Sequence, residues 1–137
     1  PIIKEIRTSL YINRVKTLSP KILEKFDMQS LALLFQDDGS REYTKLHRVG
    51  GEIYKVKPYI NAFVFWICSF SIEELELLKS KLLDLGIDSK ISFRGKYPVI
   101  LITKVKAKER FVEIVKPLLH PSMLYKIDAP VKYHGRE

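Results

Sequence analysis

The stretch SLALLFQDDGS, residues 30–40, ends an apolar run on two neighbouring carboxylates, Asp37 and Asp38, followed by Gly39. The run has the texture of a buried helix. Its C-terminal end is where a helix accumulates partial negative charge, so two acids there are unfavourable unless something offsets them. Other chemistry-bearing types are sparse. His47, His120 and His134 have neither a cysteine nor a histidine at zinc spacing, so they form no metal constellation. Cys68, the one cysteine, lies inside the apolar run AFVFWICSFSI and reads as a small core residue. With no partner for an intrachain disulfide it favours a reducing interior, cytoplasm or an organellar matrix such as that of a mitochondrion or plastid. Basic residues are abundant: 24 Lys and Arg against 16 Asp and Glu give a net charge of +8. An excess of that size on a small domain points to a polyanion, most simply nucleic acid.

The elements that must position these residues are legible from period and punctuation. Asp27 is placed to cap a helix over MQSLALLF, and Gly39 is suited to leaving it through a left-handed conformation. Earlier, Ile2, Ile3, Ile6 and Leu10 share a helical face, and Ser19 with Pro20 opens a short helix. The basic segment REYTKLHRVGGEIYKVKP offers two extended arms around Gly50 and Gly51, and YINAFVFWICSF is aromatic and β-branched, as a strand requires. Phe63, Phe65 and Trp66 read as core rather than as a base-stacking platform. Ser71 and Glu74 form a capping box before the stripe Ile72, Leu75, Leu78, Leu82 and Leu85, which ends at Gly86. DSKISFRGK and YPVILITK form a hairpin, with Lys90, Ser92 and Arg94 on one side and Ile91 and Phe93 on the other. KERFVEIVKPLLH closes the series as a helix that Pro117 must kink or end.

At 137 residues and 46% hydrophobic composition the chain is expected to form one domain with its own core. No apolar window is long enough to span a membrane, and the N-terminal segment lacks the pattern of a signal peptide. IKEIRTSLYINRVKTL near the start and VEIVKPLLHPSMLYKI near the end share apolar spacing and a lysine shortly before the last apolar residue. They are either two ordinary amphipathic helices or the closing segments of two copies of one unit. The expected organisation is residues 1–18 as a closing segment of a missing or partner repeat, 19–127 as the main unit, and 128–137 as a tail.

LALLFQDDGS, FSIEELELLKSKLLDLGI, GKYPVILIT and VKPLLHPSMLYKI occur in the order found in the LAGLIDADG homing endonucleases, particularly a subgroup whose motif reads like LAxWFMDDGS. The chain resembles that family from about Ile6 to Ile127. Gln36, Leu33 and Leu34 depart from the motif. The resemblance implies an α+β unit, α-β-β-α-β-β-α, with a four-stranded antiparallel saddle sheet backed by helices. Two motif helices, from two repeats or two chains, would pack through residues such as Leu31, Ala32, Leu34 and Phe35. Their acids would meet over bound Mg²⁺, with Asp38 and Gly39 at the metal and Asp37 shaping the helix end. Lys126 and Lys16 match the family's lysines near the catalytic centre. Arg41, Lys45, His47, Arg48, Lys55, Lys57, Lys90, Ser92, Arg94 and Lys96 would meet nucleic acid.

The resemblance therefore implies a sequence-specific double-strand DNA endonuclease that works only beside a second motif, since this chain carries one. The alternative is a relative that binds structured RNA without cutting, as an intron maturase or ribonucleoprotein component. An apolar face left open on Leu31–Phe35 would favour pairing.

Overall fold

The computed structural model describes residues 26–67 and 70–135, with the backbone of two short strands, β1 (Tyr11–Ile12) and β2 (Val15–Lys16), before them. The helices expected at Ile2–Leu10 and from Ser19, the side chain of Lys16, and Cys68 lie outside the described residues. The remaining order is α1 (Met28–Asp38), β3 (Gly39–Val49), β4 (Glu52–Phe65), α2 (Ile72–Asp84), β5 (Lys90–Arg94), β6 (Tyr97–Ile102) and α3 (Val105–Val115). Two 3₁₀ segments, Lys116–Leu118 and Pro121–Ile127, follow α3. Pro117 ends the helix, as its missing N–H requires.

The architecture is α+β. One antiparallel sheet runs β3-β4-β6-β5, and the helices share a core with one of its faces. Paired residues share a face, so the rows across the sheet sort the side chains. Phe65 pairs with Gly39 and Ile100, and Phe63 with Arg41 and Ile102, on the helix side. Ser40, Val64, Leu101 and Lys90 form a row across all four strands on the opposite face, open in that the core shared with the described helices lies on the other side. There Val64, Val99 and Leu101 make a second small buried cluster. Phe35 centres the main core, with edge-on contacts to Phe63, Phe65 and Phe111 at 5.7, 5.7 and 4.9 Å between centroids.

Local chemistry explains the ends of the elements. Asp27 and Ser30 cap α1 reciprocally, and Ser71 and Glu74 do so at α2. Gly86, at φ +86°, ends α2 with Gly86 N–H on the Leu83 carbonyl and Ile87 N–H on that of Leu82, the pairing of a Schellman motif. Gly39 departs from expectation. Its φ of −90° and ψ of 152° are extended, so α1 runs straight into β3 without a left-handed residue. Glycine is needed for close approach instead: a Cβ there would lie 2.0 Å from Phe35 Cδ1.

The two ends of the chain differ more than their similar spacing suggests. Tyr11 pairs with Lys16 and Ile12 with Val15 in an antiparallel ladder, whereas Pro121–Ile127 is 3₁₀ helical. The aromatic and β-branched residues at 11, 12 and 15 favour extended backbone over a helical copy of the C-terminal segment.

Candidate nucleic-acid interface and acidic centre

α1 delivers Asp38 as its last residue, and the Asp38 carbonyl accepts from Trp66 N–H at 2.9 Å, joining the helix end to the end of β4. Lys126 places a positive charge near the acid pair. Its Nζ donates to the carbonyls of Gly39 at 2.8 Å, Gln36 at 3.0 Å and Phe35 at 3.3 Å. An ammonium has three protons, and these acceptors account for all of them. The side chain is thus a cationic C-cap that adds a charged donor to carbonyls of the helix end, Phe35's being also the acceptor of the Gly39 N–H, and opposes the helix's negative end. Burial lowers the Lys126 pKa below the ordinary lysine value, while the charges of Asp37 and Asp38 pull in the opposite direction. A second tether holds the same segments together: His120 N–H donates to Gln36 Oε1 at 2.7 Å.

The donor set around Asp38 is hard oxygen, suited to Mg²⁺. It is only part of a site. No cluster of three or more His, Cys, Asp or Glu able to hold a metal occurs among the described residues. The Gly39 carbonyl already accepts from Lys126.

The basic residues expected to meet nucleic acid divide between the two faces. Lys90 and Ser92 pair with Leu101 and Val99 and stand on the open face, and Arg94 joins them by alternation and by its ion pair with Glu42. Alternation from Ser40 through Glu42 places Arg48 there as well, and Lys55 lies opposite Leu46 on the same side. Arg41 lies opposite Phe63, on the helix side, where its guanidinium carbon sits 4.6 Å from the Tyr43 ring centre and its NH1 is buried without a hydrogen-bond partner. Lys45 lies 5.8 Å from the same ring, and His47 packs among tyrosines. Lys57 is exposed in the irregular part of β4, and Lys96 lies in the β5–β6 turn against Tyr97. Leu31, Ala32, Leu34 and Phe35 are all buried within this chain, so the motif helix leaves no broad apolar face there.

A sequence model described as the LAGLIDADG DNA endonuclease family matches residues 1–109. The chain belongs to that family. Among solved structures it is similar to the homing endonuclease I-WcaI bound to its DNA recognition sequence, at 26% identity and a TM-score of 0.70. The match covers 93% of this chain and 52% of the other, so the chain spans about half of that endonuclease's length. Comparison with curated proteins gave no significant match.

Two residues of this LAGLIDADG chain matter more than their sequence context announced. Trp66 is 41% exposed, contrary to the expectation of a core residue, and its Nε1 donates to Ser40 Oγ at 2.8 Å beside Asp38. Its place one residue past β4, in alternation with Val64, was the available signal. Lys108, on α3, is only 3% exposed and donates to the carbonyls of Ile60 and Asn61 at 3.0 and 3.3 Å. Nothing in KERFVEIV marked it.

Proposed function

We propose that this chain is one half of a sequence-specific DNA endonuclease of the homing type, which cuts both strands only beside a second LAGLIDADG unit. The observation that carries the reading is the junction of α1 and β3. A buried, capped helix ends in Asp38, and the next residues open directly onto a sheet face bearing Arg48, Lys55, Lys90 and Arg94. Family membership and the likeness to half of a DNA-bound homing endonuclease support it.

In this reading Asp38 would be one of the carboxylates holding Mg²⁺, an ion that when bound would supply Lewis-acid chemistry toward a phosphate and an attacking water. The chain's own residues do the rest. Lys126 holds the helix end so that Asp38 is presented in one place, and its charge reduces the cost of bringing carboxylates near a phosphate. Lys90, Arg94, Arg48 and Lys55 neutralise phosphates or read base edges. The partner unit supplies the second acid.

The test is duplex binding and plasmid cleavage with Mg²⁺ by the full chain, alone and mixed with a second LAGLIDADG unit, against Asp38→Asn. Trp66, the single tryptophan, reports binding by its fluorescence. The expected outcome is duplex binding by both proteins and cleavage only by the paired wild type. Paired chains that bind a selected duplex yet never cut it with Mg²⁺ would sink the endonuclease reading.

A second reading, an RNA-binding relative that no longer cuts, is favoured by one observation. The apolar residues of the motif helix are satisfied inside this chain. RNA recovered with the purified protein in place of DNA decides for it.

A further inference from the structure

The outer part of the β3–β4 hairpin is poorly held by its own ladder. Pairing shifts register between Glu42 and Tyr43 and again between Thr44 and Leu46, with the extra residues on β4. Pro58, which has no N–H to donate, sits in this irregular stretch. On its other side β4 pairs with β6 only over Phe63–Phe65, so the outer length of β4 is an open edge. Such bulges bend a hairpin and leave its direction to other contacts.

Those contacts come from the tail. Ile60 N–H donates to the Pro130 carbonyl at 2.7 Å, and Lys57 N–H to that of Gly135 at 3.1 Å. Between these two anchors the Tyr133 ring stacks on His47, with centroids 4.8 Å apart and planes at 23°. Tyr133 also meets Tyr59 edge-on at 6.0 Å, and Tyr59 Oη lies 3.2 Å from His47 Nε2. Beneath, Lys108 ties α3 to the two carbonyls at the first irregularity.

We propose that residues 128–135 are a clamp, with Tyr133 stacked on His47 as its latch, that fixes the direction of the outer hairpin and so determines which distal base pairs the open face reaches. Tyr133 is a positioning residue: it acts on the nucleic acid only through the hairpin. This inference rests on the DNA-reading role proposed above.

The experiment uses the full chain as wild type, Tyr133→Ala and Tyr133→Phe. Amide hydrogen exchange over residues 45–55 needs no DNA, and selection from a random duplex pool reads sequence preference. Tyr133→Ala should exchange about tenfold faster in the hairpin, given the strength of an aromatic pair. It should also lose several-fold preference at distal positions while keeping preference at the centre. Tyr133→Phe, which keeps the ring, should restore both. Unchanged exchange in Tyr133→Ala overturns the clamp, and faster exchange with intact distal preference overturns its role in reading. A wild-type chain that selects no duplex overturns the DNA-reading role itself, and the exchange result separates that failure from failure of the clamp.

Discussion

The inner end of the sheet, where α1 runs into β3, and the outer end, where the hairpin leaves the body, are each held by one lysine donating to backbone carbonyls, half-buried at the inner end and buried at the outer. At the inner end Lys126 meets the Phe35, Gln36 and Gly39 carbonyls beneath two carboxylates. At the outer end Lys108 meets the Ile60 and Asn61 carbonyls, and burial lowers its pKa. Both ammonium groups lose hydration. At the inner end opposite charge and carbonyl dipoles offset part of that loss, and at the outer end carbonyl dipoles and the Tyr59 ring 6.0 Å away do so. The inner lysine therefore solves a problem that the acids create, while the outer one fixes the geometry of a bulge.

The largest expected effect tests the inner junction. In Gly39→Ala the new methyl meets Phe35, whose ring is locked among Phe63, Phe65 and Phe111. The expected loss is more than about 3 kcal/mol in urea unfolding. A variant of wild-type stability means Phe35 can yield, and the close-approach account of this glycine is then wrong.

Next, Lys126→Met and Lys108→Met set the two lysines side by side. Lys126→Met removes three charge-assisted donations from carbonyls at a helix end and one cation whose charge acts on Asp37 and Asp38, for an expected loss of about 2–3 kcal/mol. Lys108→Met removes donations to two carbonyls but relieves a desolvated charge, so its loss should be about 1 kcal/mol or less. The reverse order would mean that the acid pair is offset elsewhere.

The same comparison has a pH arm. Burial holds the Lys108 pKa below its ordinary value. An amine with a lower pKa folded than unfolded binds fewer protons folded, so its cost is full at neutral pH. That cost fades as pH rises through the folded value toward the unfolded one. Wild type should therefore gain stability relative to Lys108→Met on the alkaline side. Urea midpoints for both proteins across that range check it, and parallel curves would show the ammonium to be well solvated.

Much of this was legible in the sequence because the signals are local. The Ser71–Glu74 capping box, Gly86, the alternation of Lys90, Ser92 and Arg94, and the Asp27 cap all depend on residues a few positions apart, and each appears where expected. What escaped depends on long-range contact. Gly39 reads as a left-handed exit until Phe35 is seen against it, and nothing around Lys126 in the sequence announces its three carbonyl partners, some ninety residues away. Arg41, Lys45 and His47 look equivalent to Arg48 along the chain. Only the pairing with Phe63 and Tyr54 separates the faces.

That separation supplies the smallest effect and a direct test at the outer end. Arg48 alternates onto the open face, whereas Lys45 lies against Tyr43 on the helix side. If the open face meets a duplex, Arg48→Ala should lower the slope of log affinity against log salt by about 1, the signature of one lost phosphate contact. Lys45→Ala should leave that slope nearly unchanged, although both substitutions remove one positive charge from the same strand. A net-charge effect would treat the two alike, so binding titrations at three salt concentrations distinguish a built face from a merely basic surface. Equal slopes for the two variants would place the duplex across both sides of the hairpin, and the division of the sheet into a reading face and a packing face would then fail at its outer end.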